Sequence, residues 1–339
     1  MAIDKIFDLS KFVPAKYLKN TTDDAVVIGS RVEKSTMKLH RFVALDEEMA
    51  WLTGFFLAEG TKCDYAIGAS NCEHELVKRF CNIVERCILI DKPVWSAFVR
   101  TKGDIEKRSE FWSEKLPHAK ITAYRAELAN SDNIEIRLNN RPLAYAFNAL
   151  AKAVAEHAIK NELLSKAFLK GYAIGDGSII QRRGYFYGVS IVTKSDEYKN
   201  ILMNAIEKAY GKTAKSRISK GSNEILLVGV DFAHKLIADG WFEESPRQWE
   251  KLVESFKRKE YTRSHIRYWK ALSGANMSVL QLVEATKRSH WAVRDAMSKD
   301  SNAGLVNIKR GRIAGTRGPY HVFYSLADKG ECLLKKLGG

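Results

Sequence analysis

The sequence predicts an α+β fold built from two copies of one unit, and three observations carry that expectation. First, Leu52–Gly60 reads LTGFFLAEG and Leu169–Gly177 reads LKGYAIGDG, with Leu, Gly, an acid and Gly at the same four positions. The acids, Glu59 and Asp176, stand 117 residues apart, about one small α/β unit, which marks an internal duplication. Second, helical and strand periodicities follow each copy in the same order, so αββαββα is expected twice. Third, the chain beyond residue 263 changes to a basic helix, helix, hairpin, helix pattern.

Residues 1–45 read as an extension with little regular structure of its own, because Pro14 and the cluster Thr21–Asp24 interrupt its apolar residues. The first repeat, 46–160, opens at Asp46, a suitable N-cap for the helix that carries the first motif. A strand follows at 64–70. Residues 73–87 carry the helical pattern Leu76, Val77, Phe80, Ile83, Val84, and 94–100 alternate as a strand. The polar stretch 102–118 reads as a loop. The segments 120–127 and 133–138 read as paired strands, and Pro142 opens a helix to about residue 159. The second repeat with its linker, 161–262, follows the same order in fewer residues, with turns at 182–184 and 220–222. In 263–339, Ser278 and Ser289 each begin a short helix, and a glycine-rich segment, 311–318, tips a hairpin. That is the order of a winged helix-turn-helix module. The whole is expected as two pseudo-symmetric repeats with a central helix pair and two antiparallel sheets, plus this C-terminal domain.

Composition bounds the partners. The chain has 339 residues, 45% of them hydrophobic, so it can bury a proper core. Its net charge of +15 points to a polyanion, most often nucleic acid. From His265 onward there are 13 Lys and Arg against 5 Asp and Glu, a net of +8 in under a quarter of the length. The five cysteines are odd in number and form no CxxC pair, which reads as reduced thiols in an intracellular protein of cytoplasm or nucleoid. No apolar run approaches about 18 residues, so no membrane span is expected.

The motif residues make a physical proposition of their own. Gly54 and Ala58, like Gly171 and Gly175, lie four apart on one helix face. Small residues there let two helix backbones approach closely. Packed so, the helices carry Glu59 and Asp176 side by side at their C-terminal ends, where like negative charge is unfavourable. The glycine after each acid suits a helix C-cap. A divalent cation removes the electrostatic objection, and hard oxygen ligands suit Mg²⁺ or Ca²⁺. One such acid alone reads more readily as a solvated helix end; two at one offset do not.

These segments resemble the motif that names the LAGLIDADG homing endonucleases, and the likeness extends to Gly175–Ile180, Val192–Ser195 and Asn133–Leu138. It covers about residues 46–240 and leaves the C-terminal module aside. The resemblance implies a monomeric double-repeat endonuclease that cuts both strands of a long asymmetric DNA site. It implies two or three Mg²⁺ ions, with Mn²⁺ or Ca²⁺ able to substitute. Glu59 and Asp176 would hold them, with the carbonyls of Ala58 and Gly175 as further ligands. Lys62, Lys194 and Asn71 would position water and stabilise charge near the metals. Paired carboxylates holding metals suit phosphodiester hydrolysis, which needs an activated water and stabilised attacking and leaving oxygens.

Contacts with double-stranded DNA are then expected from the sheets: Lys62, Arg100, Lys120, Tyr124 and Arg137 in the first repeat, although Arg137, between apolar neighbours, also reads as structural. In the second they are Gln181, Arg182, Arg183, Tyr185, Tyr187, Lys215, Arg217 and Lys220. Arg and Gln suit base edges, while Lys more often meets phosphate. In the C-terminal module the expected recognition-helix contacts are Ser289, His290, Trp291 and Arg294, and the wing contacts Lys309, Arg310, Arg312 and Arg317. Two other functions fit the same surface. One is a non-cleaving transcription regulator, which need not keep the acid pair. The other is an intron maturase, because RNA attracts the same basic faces.

Overall fold

A computed structural model describes residues 5–29, 36–61, 63–127, 132–219, 221–257, 260–311 and 321–338. It corrects the expectation for the N-terminus. Among its described residues stand five short strands: β1 (Lys5–Asp8), β2 (Leu18–Thr21), β3 (Ala25–Gly29), β4 (Thr36–His40) and β5 (Phe42–Leu45). β2, β3 and β4 form an antiparallel sheet, and β1 pairs with β5. Val26, Ile28 and Leu39 point inward at 0% exposure, which overrides the polar composition around them. Arg41 closes the segment by pairing with Asp8 at 3.2 Å, which holds that carboxyl below its usual range.

Asp46 caps α1 (Glu47–Glu59), accepting from the Met49 amide at 2.8 Å. Every residue from Met49 to Leu57 is buried, so α1 is apolar all round and lies in the core. Gly60 bridges Ala69 and Cys63 bridges Ala66, so the chain turns straight back into β6 (Ala66–Asn71). Next come α2 (His74–Cys87), β7 (Trp95–Thr101), α3 (Ile105–Lys115), β8 (Ala119–Arg125), β9 (Asn133–Asn139) and α4 (Arg141–Ala158). α3 stands where a loop is expected: Asp104 caps it and Trp112 anchors it at 2% exposure. β8 and β9 do not pair with each other as expected. β8 runs parallel to β7, in the order β6-β9-β7-β8. Parallel neighbours need a crossover, and α3 supplies it.

The second half contains α5 (Glu162–Asp176), β10 (Gly177–Arg182), β11 (Tyr185–Thr193), α6 (Asp196–Tyr210), β12 (Lys215–Ser219), β13 (Ser222–Val228) and α7 (Val230–Ala238). This is the expected αββαββα order. Arg183 (φ 53°) and Gly184 (φ 77°) both adopt the left-handed conformation that a two-residue hairpin requires. The sheet order is β10-β11-β13-β12. With the bridges of Gly60 and Cys63 in the place of β10, the first half has that order too, with β8 added beyond β7. The two halves therefore share one topology, and α3 with β8 is an insertion in the first.

The chain divides into two compact units, residues 1–178 with 191–225, and residues 179–190 with 226–339. In the second unit α7 is followed by α8 (Pro246–Lys257), α9 (Glu260–Leu272), β14 (Met277–Ser278), α10 (Val279–Thr286), α11 (His290–Asn302), β15 (Val306–Gly311), β16 (His321–Leu326) and α12 (Asp328–Lys336). The stretch read as a linker is thus largely helical. Ser278 and Gln281 form a capping box on α10, and Lys287, at φ 55°, makes the tight turn into α11. The strands order β14-β16-β15. Asp300, fully buried near the end of α11, is bonded by His265 Nδ1 and Trp269 Nε1, each at 2.8 Å, which ties α11 to α9. Among the described residues no helix is long and apolar enough to cross a membrane.

The contact between α1 and α5 holds the first unit together. A Cβ on Gly54 would overlap the Phe168 carbonyl oxygen, and one on Gly171 would overlap that of Trp51. Each glycine receives the other helix's backbone, so neither obstacle is a movable side chain. Gly171→Val is expected to destabilise the protein by about 3 kcal/mol or more, read from urea denaturation, whereas Gly211→Ala, with open space around it, is not blocked by contacts and costs only its left-handed conformation (φ 62°), about 1 kcal/mol.

Candidate metal and nucleic-acid site

The close approach of α1 and α5 continues to their ends. A Cβ on Gly175 would fall 2.6 Å from Glu59 Cγ and 2.7 Å from Ala58 Cβ. The Glu59 side chain therefore lies directly on the α5 backbone, one residue before Asp176. Glu59 is half-buried and Asp176 exposed. Asn71, at the end of β6, is 8% exposed; its Nδ2 donates to Glu59 Oε1 at 3.3 Å and its Oδ1 accepts from the Glu73 amide at 2.9 Å. That second bond fixes the amide orientation, so Asn71 presents a donor to the carboxylate.

The glycines after the acids cap their helices, as the sequence suggests, and do so in an extended conformation. Gly60 (φ −68°) and Gly177 (φ −90°) are extended. They are glycine because a Cβ would strike the carbonyl oxygen four residues back, Phe56 and Ala173 respectively. The chain can thereby leave each helix abruptly: β10 starts at Gly177 itself, and Gly60 already bridges Ala69 of β6.

Beside Asp176, Tyr172 is buried and its hydroxyl donates to the Val192 carbonyl at 3.3 Å. Burial raises its phenol pKa far above the usual value, a hydrogen bond with Thr193 opposes this, and the charge of Asp176 adds to the rise. This contact pins the end of β11 to α5. Lys194 follows two residues after Val192 and is exposed. Lys62 lies outside the described residues.

Among the described residues, no group of three or more His, Cys, Asp and Glu side chains is arranged to hold a metal. The donor set at the helix ends is two carboxylates and main-chain carbonyls. All are hard oxygens, and a site of one or two carboxylates completed by phosphate and water is the usual way Mg²⁺ is held. The residues present fit such an ion, and Gly175 leaves the space in which Glu59 lies.

The first sheet presents an open face. Lys120, Thr122 and Tyr124 alternate outward on β8, beside Ser96, Phe98 and Arg100 of β7 and Asn133, Glu135 and Arg137 of β9. Arg100 Nε donates to the Tyr124 hydroxyl at 2.7 Å. Arg137 is on this face: Nε donates to Glu135 at 2.8 Å, and the guanidinium lies over the Phe98 ring at 5.4 Å. The apolar neighbours that suggested a structural arginine belong to the opposite face. Among the second-half candidates, Gln181, Arg182, Arg183, Tyr185, Lys215 and Arg217 are exposed and Tyr187 half-buried. Arg182 stacks on the Tyr187 ring at 3.7 Å, and Arg217 bonds Glu224 at 2.6 Å. Lys220 lies outside the described residues.

In the second unit Ser289 caps α11, accepting from the Ala292 amide at 3.3 Å. His290, Trp291 and Arg294 project from its first turns, Trp291 at 76% exposure. Lys309 and Arg310 are exposed on β15, while Arg312 and Arg317 lie outside the described residues. Glu135 and Glu224 escaped the sequence reading, although alternation along NIEIRL already places Glu135 on the same face as Arg137.

No protein-family model matches the chain, and no curated protein sequence does. Among solved structures, full-length DUF199/WhiA from Thermatoga maritima is similar at 13% identity and a TM-score of 0.38, covering 76% of this chain and 91% of that one. The homing endonuclease I-WcaI, bound to its DNA recognition sequence, is similar at 12% identity and a TM-score of 0.37, covering 61% and 87%. I-DmoI in complex with DNA and Mn is similar at 14% and 0.33, covering 56% and 94%. These likenesses include LAGLIDADG proteins.

Replacing Asn71 with Asp would set a second carboxylate against Glu59. It is expected to cost about 1–2 kcal/mol at neutral pH. The loss should shrink as pH falls toward the carboxylate range, where one of the two groups takes up a proton. Chemical denaturation across that range checks it.

Proposed function

We propose that the chain is a metal-dependent, site-specific endonuclease that hydrolyses both strands of a long double-stranded DNA site. The observation that carries this is the pair of duplicated helices in backbone contact, ending in Glu59 and Asp176, with Glu59 seated on Gly175. A purely structural helix pair has no use for an acid at both C-terminal ends, where the helix dipoles oppose it. The sequence resemblance to LAGLIDADG homing endonucleases supports the same reading. We assign 46–160 and 161–262 as the two repeats, 1–45 as an N-terminal extension and 263–339 as a DNA-binding module of winged helix type.

In this mechanism Glu59 and Asp176 hold Mg²⁺, with the carbonyls of Ala58 and Gly175 as further donors. The chemistry such ions supply when bound is a water acidified toward hydroxide and neutralised charge on the attacking and leaving oxygens. Asn71 orients the Glu59 carboxylate by its hydrogen bond. Lys194 stabilises charge on the scissile phosphate, and Lys62 has the same role in the first half. The sheet residues bind the duplex, Arg and Gln at base edges and Lys at phosphates. The first turns of α11, with Ser289, His290, Trp291 and Arg294, enter a groove, and Lys309 and Arg310 meet the backbone.

The test is incubation of the protein with Mg²⁺ and a plasmid library carrying candidate insertion sites. Metal-dependent double-strand cuts are expected. Glu59→Gln and Asp176→Asn are each expected to slow cleavage by at least ~10³-fold, about 4 kcal/mol of barrier, while duplex binding persists. Binding without cutting by the parent would favour the regulator, and a shift with RNA but not DNA the maturase. Trp291→Ala should leave stability within about 0.5 kcal/mol, because the side chain is exposed. It should weaken duplex binding by roughly tenfold, one stacking or groove contact, as a gel-shift titration will read.

A further inference from the structure

A face meant for DNA should be free of buried negative charge, yet each half carries a carboxylate in the middle of it. Glu135 is the third residue of β9 and Glu224 the third residue of β13, and both are seven-residue strands. The strands occupy matching places, β9 between β6 and β7 and β13 between β11 and β12. The side chains are 12% and 13% exposed. The feature is thus duplicated, like the acids on the central helices. Removing a carboxylate from water is costly unless it is paired. Both acids are paired with arginines pointing out of the same face. Glu135 Oε1 takes both Nε and Nη2 of Arg137, at 2.8 and 2.6 Å, and the Thr61 hydroxyl at 3.4 Å. Its Oε2 faces Arg100 Nη2 at 3.5 Å. Glu224 Oε2 takes Arg217 Nε at 2.6 Å.

We infer that Glu135 and Glu224 are specificity-determining residues of the DNA-reading faces, an inference that rests on the nuclease reading above. Two physical consequences follow from the pairing. The carboxylates hold Arg137, Arg100 and Arg217 out of the many rotamers in which a guanidinium meets the nearest phosphate, and they repel phosphate themselves. Duplex of arbitrary sequence therefore gains little from these arginines. A site that offers an amino donor, the N4 group of cytosine, gives each carboxylate a partner and lets its arginine turn to an adjacent guanine. Discrimination thus includes a repulsive element against wrong sequences as well as an attractive one for the right sequence.

The experiment uses the full chain, its Glu135→Gln and Glu224→Gln variants, a fluorescein-labelled duplex of arbitrary sequence, and selection from a random duplex library. Glutamine keeps the shape and removes the charge. Each variant is expected to bind the arbitrary duplex roughly tenfold more tightly at low salt, with a log–log salt slope steeper by up to about one between about 50 and 200 mM. Each is also expected to select sites with less preference for cytosine and guanine at the affected positions. A merely structural glutamate would give weaker or unchanged binding. If Glu135→Gln melts early through loss of its two arginine pairs, Glu224→Gln, whose arginine is 61% exposed, carries the comparison. If the parent binds duplex and both variants match it in affinity, slope and selected sites, the inference falls and the nuclease reading stands. If the parent binds no duplex, that reading falls and takes the inference with it.

Discussion

The backbone contact of α1 with α5 is the constraint on which the first unit depends. Gly54 and Gly171 each give up a side chain so that the other helix's carbonyl can enter the space. Burial of large side chains cannot substitute for this, because no flexible group is available to move aside. Trp51, Phe55, Phe168 and Tyr172 then pack around the pair at 0–1% exposure and supply the apolar burial. The same geometry, continued one turn further, brings Glu59 over Gly175, so fold and site have one origin.

The strands depend on that contact in turn. Extended glycines at 60 and 177 let the chain leave each helix abruptly, while Asn71 at the end of β6 reaches Glu59 and Tyr172 reaches the end of β11. A longer connection would decouple the acids from the sheets. The insertion of α3 and β8 alters only the far edge of the first sheet, where Lys120 and Tyr124 widen its open face.

The two faces also show how charge is managed in a protein of net charge +15. Unpaired arginines on an open sheet bind any polyanion. Here Arg100, Arg137 and Arg217 are held by carboxylates, Arg100 also by Tyr124, and Arg182 by an aromatic ring. In the C-terminal unit, Lys309 and Arg310 are both exposed on β15.

Much of this was determined by the sequence alone. The duplicated motif, its small-residue face, the caps at Asp46, Ser278 and Ser289, and the hairpin at Arg183–Gly184 are local signals whose physics acts within a few residues. They sufficed to place the helix pair and the acids at its ends; Asn71 is named only through the family resemblance. Only the tertiary structure decided the rest. The five N-terminal strands are too short to carry a period of their own and exist because Val26, Ile28 and Leu39 find a core. The pairing of β8 with β7 in place of β9 is a choice between non-local partners, which alternation within a strand does not encode. The meeting of Glu135 with Arg100 likewise depends on which strand lies beside which. Contacts within a helix turn or along one strand are legible from residue spacing; contacts between strands distant in sequence are set by the packing of the whole sheet.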